Sequence, residues 1–431
     1  MSRMGLLRSV GRLAMFRSLS VRNYRLFASG QIVSLIGTWM ALTTLDWLVV
    51  ALGGGGHELG ITLALQFTPM LVLGLYAGVV ADRFDKRRLL VLTQSSAGLL
   101  SALLCLLIAT DLVTIPVVYA FSVTLGIVNA FDTPTRQAFV SEMVGPALLP
   151  NAVALNSIVF NSARILGPVT AGGLIGALGT MPGAGLVFGL NALSFGGVIT
   201  GLLRMRRAEL YPARPVERAR GQLRAGLAYA VRHRDIVMPV VIVGVVGAMG
   251  LNFPVTIALV ASETFHGTAA TYGMLTAMLA VGSVFGAALS ARRTGPPNLR
   301  RLVVAAAAFG VAETALALMP TLWAFTLVAI PTGACVLLVT TTANATVQLA
   351  AAESMRGRVM ALYLLVFLGT TPIGAPIVGA VSESFGPRAG LAVGGVSSLA
   401  VALLAAAVLL RWKGSPSSQP AGSTAAAAVA D

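Results

Sequence analysis

The chain has 431 residues, of which 56% are hydrophobic and only 10% charged, and its mean hydropathy is +0.86. That leaves too little polar surface to coat a water-soluble globule, so the chain belongs in a bilayer. A formal charge of +15 would point a soluble protein toward nucleic acid, but in a membrane protein positive charge is read by its location.

Residues 1–25 carry Arg3, Arg8, Arg12, Arg17, Arg22 and Arg25 interleaved with Leu, Val, Met and Phe. They read as a basic amphipathic lead-in on an anionic membrane face. A signal peptide is disfavoured, because the apolar run that follows is long enough to span and lacks a small-residue cleavage pattern. A helix crosses the hydrocarbon with about 20 apolar residues. Such runs occur at 26–52, 58–80, 89–110, 112–131, 151–178 and 183–204. Gly53 to Gly56 separates the first two, with no Lys or Ser after it to make a phosphate loop. Pro134 is expected to stop the fourth run.

Between Arg204 and Arg234 lie nine arginines and two prolines, so residues 205–235 read as a linker carrying a short amphipathic helix. Six further runs follow, at 236–260, 270–291, 301–319, 321–343, 357–382 and 388–411. Residues 412–431, rich in Ser, Pro and Ala, read as a disordered tail. The spans thus divide into six within 26–204 and six within 236–411. With both termini on the cytoplasmic side of the cell inner membrane, 28 of the 30 Lys and Arg residues fall inside, as the positive-inside rule requires. The charge excess is then topological, and no nucleic-acid partner is expected.

Equal halves suggest a repeat. Gly74 and Gly282, Gly78 and Gly286, and Pro168 and Pro376 share one offset of 208 residues. Gly74 with Gly78, and Gly282 with Gly286, form GxxxG pairs that would let helix backbones approach closely. Charge inside the hydrocarbon is costly and marks functional candidates. Three stand out: Asp46 in span one, Arg164 in span five and Glu313 in span nine. At about 1.5 Å per residue from the inner ends, Asp46 lies ~30 Å and Arg164 ~20 Å up. Asp46 is the candidate for taking a coupling proton or meeting a cationic part of a cargo; an acid in an outer water funnel is the alternative. Arg164 stays charged and is expected to gate or brace, with a carboxylate or helix carbonyls as partners. Cys105 and Cys335 sit in apolar runs and read as small hydrophobes.

Gly78 to Arg88, GVVADRFDKRR, ends an apolar run with a dense charge cluster. This stretch resembles the signature loop between the second and third helices of the major facilitator superfamily. Span five carries Asn161-Ser-Ala-Arg164-Ile-Leu-Gly167-Pro168-Val-Thr-Ala-Gly172-Gly173, with a second-half relative in Pro372-Ile-Gly374-Ala375-Pro376-Ile-Val-Gly379. It resembles the Gly-Pro motif of that superfamily's exporters and antiporters. With Gln31, Gly37-Thr38-Trp39, Asp132-Thr-Pro-Thr-Arg136-Gln137 and Asn151-Ala-Val-Ala-Leu-Asn156, the likeness narrows to one exporter branch. That branch includes the enterobactin exporter and related siderophore, macrolide and multidrug efflux proteins. The likeness is good over residues 22 to 205 and weaker afterwards.

The resemblance implies an all-α integral membrane fold of twelve transmembrane helices in two pseudo-symmetric six-helix halves. It implies a transporter, not an enzyme, that exports a small amphipathic molecule by alternating access driven by a proton gradient; a monomer is the default expectation, and no cofactor or metal is expected. It further implies a conformational latch in which Asp82, supported by Gly78, Arg83, Arg87, Arg88 and Arg136, faces Arg356 and Arg358 at the start of span eleven. Gly74, Arg164, Gly167, Pro168, Gly172, Gly173, Pro372 and Pro376 would serve as hinge and packing positions. By the same likeness, span nine is peripheral and Glu313 lipid-adjacent.

Other classes fare worse. The histidines His57, His233 and His266 are scattered over loops, no GxxxxGK[ST] is present for an ATP-driven pump, and no channel filter is visible. An importer or uniporter of the same fold, and a non-transporting membrane sensor or adaptor, stay open. Abundant Met, Phe, Leu and Gly favour an amphipathic or hydrophobic cargo over a sugar.

Overall fold

The computed structural model describes residues 16–211, 222–292, 295 and 297–413. Residues 1–15 of the basic lead-in, 212–221 of the linker, Arg293 and 414–431 of the tail lie outside them. The described residues form helices and connecting turns, with no strand among them. In order these are α1 (Arg22–Ala51), α2 (Gly56–Arg83), α3 (Lys86–Ala109), a 64-residue helix Ile115–Leu178, and α6 (Thr180–Leu203). A short linker helix (Gln222–Arg232) precedes α7 (Arg234–Thr264), α8 (Ala269–Arg292), α9 (Leu299–Leu318), α10 (Leu322–Ala350), α11 (Arg356–Phe385) and α12 (Pro387–Lys413).

Ten of these helices are long and apolar enough to cross a membrane, or eleven when α2, bent by 60° beyond Gly74, is included. The 64-residue helix would be ~96 Å long at 1.5 Å per residue, more than twice the thickness of a bilayer. It is broken at Gly145, whose φ of 69° lies in the left-handed region. Divided there into α4 (residues 115–144) and α5 (residues 146–178), it crosses twice and brings the spans to twelve. The ring of Tyr211 lies 3.3 Å from where a β-carbon on Gly145 would stand, and the Tyr211 N–H donates to Glu142 O at 2.8 Å, so the break is also packed.

Pro134 does not end α4, contrary to the sequence expectation. The helix runs on to residue 144, with Asp132, Phe139 and Met143 buried and the Thr135 hydroxyl donating to Phe131 O at 2.7 Å. Packing on both sides of the proline outweighs its cost of about 3 kcal/mol. Likewise α5 starts at 146 rather than 151, because Pro146 takes its first position, where the N–H has no helical partner to lose. Span one begins at Arg22 rather than 26. Span seven is not continuous: π-helical turns at Val246–Gly250 and Val260–Thr264 flank a break at Leu251 and Asn252, where Asn252 Nδ2 returns to Ala248 O at 2.7 Å.

The duplication is visible in the close approaches. A β-carbon on Gly126 would fall on the Gln66 carbonyl, bringing α4 against α2; one on Gly333 would fall on the Leu279 carbonyl, bringing α10 against α8. Gly282 and Gly286 press on Ile330 O and Ala334 O in the same α8–α10 contact. Gly74 differs from expectation: nothing lies within 4 Å of its absent β-carbon, because α2 bends away just beyond it. Glu313 is also not lipid-adjacent. It is 2% exposed, set between Gly250 of α7 and Gly394 of α12, where only glycine leaves room for its carboxyl group.

Charges of the Gly78–Arg88 loop brace the N-terminal half. Asp85 caps α3 by accepting the Arg88 N–H at 3.0 Å. Lys86 Nζ pairs with Glu142 at the end of α4 at 2.7 Å, the two side chains 9% and 12% exposed. Arg87 donates to the Leu202 and Leu203 carbonyls at the end of α6, at 2.5 and 2.7 Å, satisfying acceptors that a helix end leaves open.

Two outcomes are expected in thermal unfolding of the detergent-solubilised protein. Lys86→Met and Glu142→Gln should each cost about 3–5 kcal/mol by stranding a buried partner, and a Lys86→Met/Glu142→Leu double variant should recover most of that loss. Gly282→Ala should destabilise by about 1–3 kcal/mol through overpacking on Ile330, whereas Gly74→Ala should cost nothing measurable.

Candidate functional site

The two six-helix halves meet along a seam made twice over. On one side α5 lies on α8: a β-carbon on Gly172 would stand 2.7 Å from Ala269 O, and one on Gly273 would fall on Pro168 O. On the other, α2 lies on α11: β-carbons on Gly56 and Gly379 would each fall on the other's carbonyl, and one on Gly60 would stand 2.6 Å from Ala375 O and 2.8 Å from Pro376 Cα. Pro168 and Gly172 in α5 thus match Pro376 and Gly379 in α11. These contacts cluster at the face that holds the α1–α2, α5–α6 and α11–α12 turns. That face is poor in arginine; the opposite face holds the Gly78–Arg88 loop and the linker. Nearer the arginine-rich face the halves touch by side chain, with Leu71 3.0 Å from the β-carbon position of Gly369.

Polar contacts reinforce the closed, arginine-poor face. The Tyr272 hydroxyl of α8 donates to Asp46 Oδ2 of α1 at 2.7 Å, and its ring stacks on Trp47 at 6.2 Å and 20°. Tyr272 is 1% exposed, and Asp46 is half-buried. Glu383 of α11 accepts the His57 N–H of α2 at 2.8 Å, so a carboxylate from one half caps a helix N-terminus of the other. Asp46 and Glu383 therefore both cross the seam.

Other expected positions scatter over the interface. Gly167 presses on Trp39 and Met40 of α1. Arg164 stands over the Trp39 ring at 5.9 Å, a cation–π contact in place of the expected carboxylate or carbonyl partner, and Phe160 meets the same ring edge-on. Gly173 faces open space; Pro372 is in α11, two residues before Gly374, which presses on the Ala248 carbonyl of α7. Arg83 is exposed, Asp82 and Gly78 are half-buried, and Arg88 lies 3.9 Å from Asp85. Arg356 Nε donates to Gln348 O at 3.1 Å, while Arg358 rests on Met355 Sδ and backs onto Gly226 of the linker helix.

A second polar region was not read from the sequence. Within the N-terminal half, α1, α3, α4 and α6 enclose a narrow chamber of ≈ 60 Å³. Asp132, 5% exposed, accepts from Thr93 Oγ1 at 2.8 Å and Gln94 Nε2 at 2.7 Å, and Arg136 Nε lies 3.3 Å from its other oxygen. Asn191 donates to Ser101 Oγ at 3.0 Å. The available signal was the recurrence of amide and hydroxyl side chains, Gln31, Gln94, Ser101 and Asn191, in apolar runs; ending span four at Pro134 placed Asp132 in a loop and hid it.

Known proteins resemble the chain in sequence and in fold. Over 147 residues the chain is 33% identical to the staphyloferrin A transporter of Staphylococcus aureus, covering 34% of this chain and 37% of that one, well short of that transporter's length. It is 25% identical to the multidrug efflux pump Tap of Mycolicibacterium fortuitum, covering 82% and 87% of the two chains. To the enterobactin exporter EntS of Shigella flexneri it is 24% identical, covering 83% and 84%. Among solved structures it superposes on a bacterial homolog of the human lysosomal transporter Spinster in an inward-facing, unoccupied conformation, with TM-score 0.68, 16% identity and coverage of 92% and 99%. Residues 13–429 match the model of the transmembrane secretion effector family, and the chain belongs to that family of major facilitator transporters.

Proposed function

We propose that the chain exports a small amphipathic molecule, drug-like or siderophore-like, across the cell inner membrane in exchange for protons, with its arginine-rich face and both termini in the cytoplasm. The observation that carries this reading is the Asp46–Tyr272 hydrogen bond across the closed seam. A carboxyl group that belongs to one half and is held by the other is positioned to make closure depend on whether it carries a proton. Loading from the outside when the seam is open, and release after it closes, would couple proton entry to cargo exit. The exporters and efflux pump among the relatives support the direction and the class of cargo. Asp82, near the inner end of α2, serves in this reading as the opposing latch. It would engage Arg356, Arg358 and the N-terminus of α11 when the cytoplasmic face closes.

In proteoliposomes, Asp46→Asn should abolish cargo movement driven by an imposed pH gradient while leaving the protein folded; gradient-driven movement at the wild-type rate would remove Asp46 as coupler, and wild-type transport indifferent to the gradient would indicate a uniporter. Tyr272→Phe removes one hydrogen bond to a charged group, worth about 1.5–3 kcal/mol. The closed-to-open ratio of the arginine-poor face should fall about 10- to 100-fold, as read by spin-label distances across the α2–α11 seam.

A further inference from the structure

Three of the buried polar atoms in the N-terminal half that lack a hydrogen-bond partner are Gln31 Oε1, Gln94 Oε1 and Asn191 Oδ1. All three residues line the ≈ 60 Å³ chamber around Asp132. Gln31, Gln94 and Asn191 are 4%, 6% and 3% exposed, so lipid headgroups and bulk water do not serve them. Burying such atoms unsatisfied is costly, which calls for a small polar occupant.

Spacing along the helices says what kind. Gln94 bonds Asp132, and Ser101, seven residues further along α3, bonds Asn191. Seven residues are about 10 Å of helix, so the Gln94 and Asn191 ends are too far apart for one ion to serve both. Among the described residues, Asp132 and Arg136 are the charged side chains that line the chamber. The elements packed against them contribute amides and hydroxyls: Gln31, Ser34 and Thr38 from α1, Thr93, Gln94 and Ser101 from α3, and Asn191 from α6. A volume of ≈ 60 Å³ leaves room for several waters, each needing about 10–15 Å³ of such space.

We propose that the chamber holds a file of ordered water that carries protons between Asp132 and its far end toward the seam, with Arg136 as the group that leaves when Asp132 is loaded. This rests on the proton-coupled reading above and supplies its route. Toward Asp46 the lining turns apolar through Ala41, Leu42, Leu45, Phe121 and Leu125. Leu45 is next to Asp46 in the chain but Asp46 does not line the chamber, so the file ends short of the seam carboxyl group. At the other end the Arg136 side chain is 24% exposed and can turn toward water, keeping its charge while Asp132 accepts the proton. The balance is simple: a proton donated by the file converts the Asp132 carboxylate to the acid, and the reverse step returns it.

The test uses full-length protein in proteoliposomes with ethidium as cargo and an internal pH dye, together with infrared difference spectra between pH 5 and pH 9. Gln31→Met and Asn191→Leu, which fill the file without touching Asp132, should each slow cargo-linked proton movement at least tenfold while leaving ethidium binding within twofold. Asp132→Asn should remove a carboxyl C=O band that Asp46→Asn leaves in place. Wild-type proton flux in both file variants, or an infrared spectrum unchanged by Asp132→Asn, would overturn the proposal. Should the wild type move ethidium with no proton flux at all, the coupling reading itself fails, whatever the variants do. If Gln31→Met and Asn191→Leu do not fold, Ser34→Ala and Thr38→Val give the same comparison with smaller changes in shape.

Discussion

The structure depends on helix backbones touching where side chains would hold them apart. Along the α2–α11 and α5–α8 seams, β-carbons on Gly56, Gly379 and Gly273 would each fall on a facing carbonyl oxygen. In lipid no hydrophobic force drives helix on helix, because the tails are as apolar as leucine, so shape-matched close packing is what favours one arrangement of two rigid bundles. Such contacts are short-ranged. They are lost within a small tilt, which makes a closed seam all-or-none rather than gradually compliant.

Polar groups then decide how the closed arrangement can be undone. Asp46 with Tyr272, and Glu383 with the His57 N–H, are the hydrogen bonds that cross between halves at that face. Each involves a carboxyl group, whose acceptor strength changes with protonation, beside a contact that has no gradual state. In the proposed cycle, this is where a change of protonation would act on the seam. Charges elsewhere do quieter structural work. Lys86 and Arg87 tie α3 to the ends of α4 and α6, so the N-terminal half can move as one piece.

Burial of polarity follows the same division. In the C-terminal half Glu313 is enclosed by Gly250 and Gly394 where α7 is broken. In the N-terminal half Asp132 has three neighbours and a chamber. The halves share an architecture but not their polar interiors, so the duplication has diverged in chemistry more than in packing.

Composition and run length by themselves determined a helical membrane protein in two halves, because only helices of about 20 apolar residues satisfy their own backbone in lipid. The offset of 208 residues and the Gly-Pro motif made the halves and the helices of their seam legible, since glycine and proline act through the backbone. Sequence also put Asp46 among the candidates, on cost alone. Tertiary structure decided the rest. Whether Pro134 ended a helix depended on neighbours that outweigh a local penalty, and Gly145 broke the chain instead. Whether Glu313 met lipid or protein depended on which face of α9 the bundle covered. Partners such as Tyr272 for Asp46, or Thr93 and Gln94 for Asp132, lie 226, 39 and 38 residues away. No local pattern encodes a distance that only the folded bundle closes.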